Sequence, residues 1–390
     1  YPRFVTKRSA PMHRSALTTC LILIATFAVT RWHAEAAEPI PLDAIAPTAA
    51  PATQVTDPVR YPWDHRMLRC FRGGESAMGP MCAKAVPDWP SVHRGMQNLY
   101  QVFDKRDFAV IAMAEQDVAL STERMPDGEY RATLWTHSLG GYLGNSSDRQ
   151  AFAESWHNAS GANGTGCLTL AMASFADAME ARGGGLARTV TDEAWKLFHA
   201  KLDETGTLLD ACPAKVKATL PWHEVKLQTT YLRHDDVARR QAQLQTAIAA
   251  WPDAADIYGV AMNYALPIWG GSFEAMEEIA QLALSNSKST MKTAVYAQLY
   301  ANALYRSQTH TFDETKADWS LMKQSFRDRE SYGVPANWLL TRYVGLACAV
   351  KDREEAKRLF LVIEQFQQKD NIGFDTRNLG DPCVRFAFGL

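Results

Sequence analysis

Two short runs of the chain contain residue types that bind metal ions. His223-Glu224 and His234-Asp235-Asp236 combine imidazole and carboxylate groups, which are common protein ligands of divalent cations. Neither run has the His-x-x-x-His or His-Glu-x-x-His spacing that places two ligands on one face of a helix. Asp235 and Asp236 are better interpreted as the start of the helix that follows. We therefore expect no metal ion and no other cofactor.

A serine with acyl-transfer potential lies in the run WTHSLGG over residues 135–141. This run is similar to a nucleophile elbow, in which a serine lies on a sharp strand-to-helix turn. Residues 129–135 could supply the strand, but no alternation of strands and helices surrounds the run. The other interpretation is a helix that ends at Gly140-Gly141, with His137 and Ser138 on its surface. A serine hydrolase that uses Ser138 is therefore kept only as an alternative, and no catalytic residue is predicted.

Two glycine-rich runs, at 161–166 and 183–185, lack the features of a phosphate-binding loop. Neither run follows a strand, and neither contains Gly-Lys-Ser or Gly-Lys-Thr. Loops between helices explain them better, because glycine readily adopts the left-handed conformation that ends many helices.

Composition and charge exclude some classes of protein. The 390 residues are 47 % hydrophobic and 22 % charged, which is ordinary for a globular protein and excludes wholesale disorder. A net charge of −2 gives no reason to expect nucleic acid or an acidic membrane surface as a partner.

The N-terminal region has the pattern of an exported protein. A basic stretch opens at Met12, an apolar run covers 16–29, and the small-x-small sequence AEA follows at 34–36. This pattern predicts a secretory signal peptide over 1–36, with an extension ahead of Met12. The apolar run is too short to span a bilayer comfortably, so we expect no stable membrane span after cleavage. Residues 37–60 contain five prolines and are predicted to be a disordered tether, and the expected location is a bacterial periplasm or the exterior.

Six cysteines follow the predicted signal peptide, an even number that an exported chain can pair. Sequence proximity favours the pairs Cys70–Cys82, Cys167–Cys212 and Cys348–Cys383. Buried free thiols are the alternative, particularly for Cys348 on an apolar helix face. The chain contains no Cys-x-x-Cys, so neither a thioredoxin-like redox site nor a zinc knuckle is supported.

Apolar residues recur at helical spacing almost everywhere from about residue 91 onward. Residues 97–121 are predicted to be helical with a break around 104–107, and residues 192–209 form a helix capped by Thr191. No series of alternating strands with hairpin turns is present. The prediction is an all-α protein, with an N-terminal helical region over 61–250.

The C-terminal half has the most regular pattern, and it predicts helical hairpins over 251–370 with a tail at 371–390. Predicted pairs are 254–265 with a helix that begins at Ser272, 290–306 with 313–328, and 336–350 with 353–368. Thr311 and Glu314 have the spacing of a capping box. Because paired helices recur at about 36 and 45 residues, we expect an irregular α-solenoid.

Residues 351–360 resemble the turn and second helix of a tetratricopeptide repeat, with Ala356 and Phe360 at the small and large positions. The preceding helix fits less well, because Val344 stands where that repeat usually has a small residue. This resemblance implies tetratricopeptide-like hairpins.

The loop between the first two C-terminal helices carries a more specific motif, formed by Pro267, Trp269, Gly270, Gly271 and Ser272. It resembles a bacterial family of exported, tetratricopeptide-like proteins of uncharacterised function, which has Pro-x-Trp-Gly-Gly-Ser between paired helices. The runs RGGG at 182–185 and DG at 127–128 also look like that family, and the resemblance covers roughly 95–360. It implies a fold and a compartment but no activity.

The prediction for function is a module that binds a protein or a peptide, because solenoids commonly bind partners on a concave face. Most of the eleven tryptophans are expected to pack between hairpins. Candidate residues for the concave face lie on first helices of the hairpins: Tyr258, Asn263, Tyr296, Asn302, Trp338 and Arg342. A structural or assembly factor of the cell envelope is the remaining alternative, and a large exposed apolar patch would favour it.

Overall fold

The computed structural model describes residues 99–100, 102–125, 128–161, 164–184, 187–233, 236–307, 312–331, 337–370 and 380–389. Within these ranges the chain is almost entirely helical, and its only strand-like pairing is an isolated antiparallel bridge between Arg124 and Tyr130. The all-α prediction is confirmed.

The N-terminal helices form a bundle around an aromatic core. Its helices are α1 (Phe108–Ala114), α2 (Thr133–Asn145), α3 (Arg149–Ser160), α4 (Gly166–Arg182), α5 (Asp192–Ala211), α6 (Ala214–Lys217) and α7 (Leu220–Leu232). A helical stretch over 102–105 precedes α1, and a π-helical turn over Glu115–Ala119 extends it. The predicted break is present: Arg106 has a φ of 54°, and the Asp107 side chain caps α1. Thr191 caps α5 as predicted.

The C-terminal helices pack as successive hairpins. They are α8 (Val237–Ala250), α9 (Ala255–Tyr264), α10 (Phe273–Met291), α11 (Ala294–Ser307), α12 (Trp319–Ser331), α13 (Asn337–Ala349), α14 (Arg353–Asp370) and α15 (Gly380–Phe388). Each first helix packs on its own partner and on the first helix of the next hairpin, in the order α9, α11, α13. This sequential stacking is the arrangement expected of a solenoid-like fold.

Two predicted boundaries in this region are wrong. Helix α10 continues to Met291, so α11 begins at Ala294 and not near 290. Helix α12 begins at Trp319 and not at 313, because residues Phe312–Glu314 form a separate 3₁₀ turn. Asp318 caps α12 by accepting hydrogen bonds from the amides of residues 320 and 321. The other half of the predicted capping box, Thr311, lies outside the described residues.

The Pro-x-Trp-Gly-Gly-Ser motif forms the turn between α9 and α10. Gly270 adopts a left-handed conformation with φ +84°, which glycine tolerates without steric cost. A Cβ atom on Gly271 would lie 2.1 Å from the carbonyl oxygen of Ala265, so the backbone can pass only with glycine. The Ser272 hydroxyl accepts a hydrogen bond from the amide of Ala275 and caps α10. The motif is therefore a structural turn.

Two cysteine pairs lie at disulfide distance. Cys167 at the start of α4 and Cys212 at the end of α5 have Cα atoms 5.5 Å apart. Cys348 on α13 and Cys383 on α15 have Cα atoms 5.7 Å apart, and both separations suit a disulfide. These two predicted pairs are confirmed by the geometry, whereas Cys70 and Cys82 lie outside the described residues.

Residues 123–125 and 128–131, hereafter the linking segment, lie between α1 and α2 and contact the hairpins. The Glu129 carboxylate accepts hydrogen bonds from Arg329 on α12 at 2.7 Å and from Gln298 on α11 at 2.9 Å. Glu129 and Arg329 are both buried, with 6 % and 1 % of their side chains exposed. A charge pair this deep is tolerated only with good geometry, so it fixes where the linking segment lies.

Tyr130 forms a second contact between the linking segment and the hairpins. Its hydroxyl donates to Asp253 at 2.6 Å, and its ring packs edge-on against Trp251 at 4.8 Å between ring centroids. Burial raises the pKa of Tyr130, so the hydroxyl keeps its proton and remains a donor. Arg124 pairs with the same Asp253 carboxylate and covers the Tyr130 ring.

We predict that Arg329→Met lowers the free energy of unfolding by about 3–5 kcal/mol, because it leaves the Glu129 carboxylate buried without its cation. Urea denaturation followed by circular dichroism measures this change. Lys316→Ala is the matched control: its ion pair with Glu274 is exposed at both ends, so its loss leaves stability close to the wild-type value. A loss for Arg329→Met no larger than that of the control would contradict the prediction.

We also predict that the double variant Cys167→Ala/Cys212→Ala loses about 2–5 kcal/mol of unfolding free energy, because the cross-link no longer restricts the unfolded chain. Denaturation without reductant measures the loss. If a thiol reagent modifies both cysteines in the unfolded, unreduced wild-type protein, the pair is not bonded and the prediction fails.

Candidate functional site

A polar cleft of about 620 Å³ opens between α5, α7 and α8. Its wall on α5 carries Asp203, Thr207 and Asp210, which recur at helical spacing and form a polar stripe. Helix α7 contributes Lys226, Thr229 and Thr230; Arg233 follows its end, and α8 adds Arg239 and Gln243.

Two exchangeable ion pairs line the cleft. Lys226 binds Asp210 at 2.6 Å, and Arg233 binds Asp203 at 3.0 Å. The two aspartates are 64 % and 66 % exposed, so water screens both pairs and each contributes little stability. A carboxylate from a ligand can therefore replace either aspartate at small cost.

One donor in the cleft has an unmet hydrogen-bonding capacity. The Gln243 side-chain nitrogen Nε2 is buried and has no hydrogen-bond partner within the described part of the chain. A buried amide donor without a partner costs about 1–3 kcal/mol, so an acceptor that enters the cleft would recover this cost.

Gly206, in the middle of α5, leaves space for the Arg233 guanidinium in the cleft. A Cβ atom on Gly206 would lie 2.5 Å from an Arg233 terminal nitrogen, so any larger residue displaces that side chain. Glycine within a helix costs about 0.5–1 kcal/mol relative to alanine. The close approach of Arg233 explains why a glycine is suited to this position.

Three of the predicted concave-face residues are buried. Tyr258 donates to the Pro252 carbonyl and accepts from Asn286, and Tyr296 donates to Glu277 and accepts from the Asp318 amide. Asn263 is buried as well. The two tyrosines hold neighbouring segments together, and none of the three side chains presents an open surface to a partner.

The structure brings two other predicted residues together on the stacked first helices. Arg342 on α13 donates to the side-chain oxygen of Asn302 on α11, and its guanidinium covers the Tyr305 ring at 3.9 Å. The side chain of Trp338 lies outside the described residues. None of the predicted residues lines the polar cleft, which lies in the N-terminal region.

The cleft was not predicted from the sequence, because the candidate binding residues were those on the hairpins. A signal was present in the polar stripe of α5 and in Arg239 and Gln243, which are four residues apart on α8. Polar stripes also occur on solvated helix faces. Only the fold shows that the stripes on α5 and α8 face the same cleft.

A second polar cluster forms where α2, α7 and α9 meet. His137 Nε2 lies 3.7 Å from Glu224 Oε1 and 3.6 Å from Asp256 Oδ1. The ligand-type atoms of these three residues all lie within 4.8 Å of one another. The cluster contains the residue types that bind metal ions, and Glu224 belongs to a run that the sequence had singled out. Its neighbour His223 is buried outside this cluster, and burial lowers the pKa of His223 to about 4.

Ser138 does not lie on a nucleophile elbow. Helix α2 runs without interruption from Thr133 through Gly140 and Gly141 to Asn145, and Ser138 is 1 % exposed in its interior. The prediction that a helix ends at the two glycines is also wrong, because α2 continues through both to Asn145.

Three tryptophans bond neighbouring segments, and the predicted role of Asp236 at the start of α8 is confirmed. The indole nitrogens of Trp222, Trp251 and Trp319 donate to Leu209, Ala218 and Asp352, which lie on other elements. Asp236 caps α8 through the amide of Arg239, as its position before that helix predicted.

Comparisons of the chain with models of protein families, with curated proteins and with solved structures find no match. Within the described ranges, no helix combines the length and the apolar character needed to cross a membrane.

We predict that Tyr258→Phe lowers the free energy of unfolding by about 0.5–1.5 kcal/mol, because the half-buried Asn286 amide and the Pro252 carbonyl lose the hydroxyl that bonds to both. Thermal and urea denaturation measure this loss. Tyr305→Phe is the control, because it keeps the ring that Arg342 covers. Equal stability of the two variants would show that Tyr258 has no structural role.

Proposed function

We propose that this chain is an exported helical-hairpin protein that binds acidic peptide segments in the cleft between α5, α7 and α8. The observation that carries the proposal is the buried Gln243 donor, which has no partner among the described residues and lies in a cleft with three basic side chains. A peptide carbonyl oxygen is the commonest acceptor that could meet such a donor.

The charges of the cleft favour an acidic ligand. Lys226, Arg233 and Arg239 contribute three positive charges to the lining, against the two negative charges of Asp203 and Asp210. Because both aspartates are largely exposed, a ligand carboxylate competes with them for the same cations. Charge-assisted hydrogen bonds of this kind are stronger than neutral ones and give orientation.

Export is part of the proposal and rests on separate features. The N-terminal pattern predicts a signal peptide, and two cysteine pairs at disulfide distance suit an oxidising compartment such as a bacterial periplasm. The resemblance to exported tetratricopeptide-like proteins supports the same compartment.

The alternative functions receive less support. Ser138 is buried within a continuous helix, so the hydrolase alternative lacks the turn that its chemistry requires. The large exposed hydrophobic side chains of the described residues are Leu197, Leu361 and Phe388, too few to favour an envelope assembly factor with an extended apolar surface.

Fluorescence anisotropy with two labelled peptide pools tests the proposal. One pool carries Asp or Glu at half of its positions, and the matched pool carries Asn or Gln there. We expect the wild-type protein to bind the acidic pool more tightly, and added salt to weaken this binding. Gln243→Leu and Gly206→Ala should each weaken this binding about tenfold. The first variant loses the hydrogen bond from Gln243, and the second displaces the Arg233 guanidinium.

Gly206→Ala is informative because it displaces Arg233 while favouring the helix, so weaker binding cannot be assigned to unfolding. Lys316→Ala, on the exposed surface far along the chain, is the control and should bind as the wild type does. Binding of neither pool, or acidic-pool binding that Gln243→Leu and Gly206→Ala leave unchanged, would contradict the proposal.

A further inference from the structure

We propose that His137, Glu224 and Asp256 form a binding site for a divalent transition-metal ion, with Zn²⁺ as the best match. The three ligands come from three different helices, α2, α7 and α9. This proposal is independent of peptide binding in the cleft, because no residue is shared between the two sites.

Two of the three ligand separations are close to those around a common ion, and all three lie within 4.8 Å. Ligand atoms at about 2.0–2.2 Å from a tetrahedral zinc ion are separated from one another by about 3.3–3.6 Å. The His137 nitrogen lies 3.6 Å and 3.7 Å from its two carboxylate oxygens. Direct N–H···O hydrogen bonds are shorter, at about 2.7–3.2 Å, so His137 donates well to neither carboxylate. The ring nitrogen is almost equally distant from both, as expected for atoms arranged around a third centre.

A neighbouring hydroxyl orients one of the carboxylates. Thr133 lies one helical turn before His137 on α2, and its hydroxyl donates to Asp256 Oδ2 at 2.6 Å. The other oxygen, Oδ1, is the one that lies near His137. Hydrogen bonds from outer residues commonly hold metal ligands in position in this way.

Burial and charge also favour a cation. The side chains of Glu224 and Asp256 are only 5 % and 16 % exposed, and their carboxylates lie close together. A dication placed beside two largely buried carboxylates attracts both of them. His137 is 24 % exposed and leaves an approach from solvent. Three protein ligands with mixed nitrogen and oxygen donors leave a fourth position for water, the pattern of an open zinc site.

The competing explanation is a purely structural cluster, in which the three side chains lie together without an ion. It requires no ion, and it predicts that metal has no effect on the protein. Titration of the metal-free full chain separates the two explanations.

The test is isothermal titration calorimetry with ZnCl₂ on the full chain after treatment with a chelator. We expect a site with a Kd of about 1 μM or tighter in the wild type, and a rise in melting temperature when the ion is bound. His137→Gln and Asp256→Asn should each weaken this site at least about tenfold. Thr133→Val keeps all three ligands and should weaken it about 10–100-fold, because the carboxylate loses its orienting donor.

His157→Ala removes an exposed histidine on α3 and is the matched control; it should leave the affinity unchanged. Spectra of the Co²⁺-loaded wild type add a second readout, since loss of the tetrahedral signal in Asp256→Asn assigns the ion to this cluster. No Zn²⁺ binding by the wild type, or binding equal in the wild type, Asp256→Asn and Thr133→Val, would overturn the proposal.

Discussion

The buried ion pair between Glu129 and Arg329 is the interaction on which the rest of the architecture depends. It joins residues that are 200 positions apart, and it places the linking segment against α11 and α12. Moving two charges out of water is costly, and the amide of Gln298 adds a second hydrogen bond to the same Glu129 carboxylate. If the linking segment shifted, hydrophobic contacts could form again with other neighbours. The Glu129–Arg329 ion pair could not form again, because each charge needs its own partner. Together with the packing of α7 on the hairpins, this contact holds the N-terminal bundle in place.

Helix α7 contributes residues to both proposed sites. It is buried on nearly all sides and contributes to both large cores: Trp222 and Val225 pack in the N-terminal core, and Leu227 and Tyr231 pack with the hairpins. Residues two positions apart on a helix point about 200° apart. Glu224 therefore faces the cluster with α2 and α9, while Lys226 faces the cleft with α5 and α8. The two proposed sites share a helix whose position both cores determine.

Local features of this fold could be predicted from the sequence, because they depend on residues close together in the chain. Helical periodicity, the caps at Thr191 and Ser272 and the turn at Gly270-Gly271 are of this kind. Cysteine pairs of short separation were predictable for the same reason. Contacts between distant residues were not: Glu129 and Arg329, or the three members of the His137 cluster, share no spacing that a sequence reveals. Tyr258 and Tyr296 were assigned to a surface because a tyrosine with a satisfied buried hydroxyl has the same sequence pattern as an exposed one.

Native-state hydrogen exchange on the full chain tests most directly whether the linking segment makes one cooperative unit of the two cores. Amides in α2, α4 and α7 should share their highest free energy of exchange with amides in α9 and α11, and the two groups should respond alike to low denaturant. Exchange of the hairpin amides at a clearly lower free energy, while the N-terminal bundle stays protected, would contradict this account.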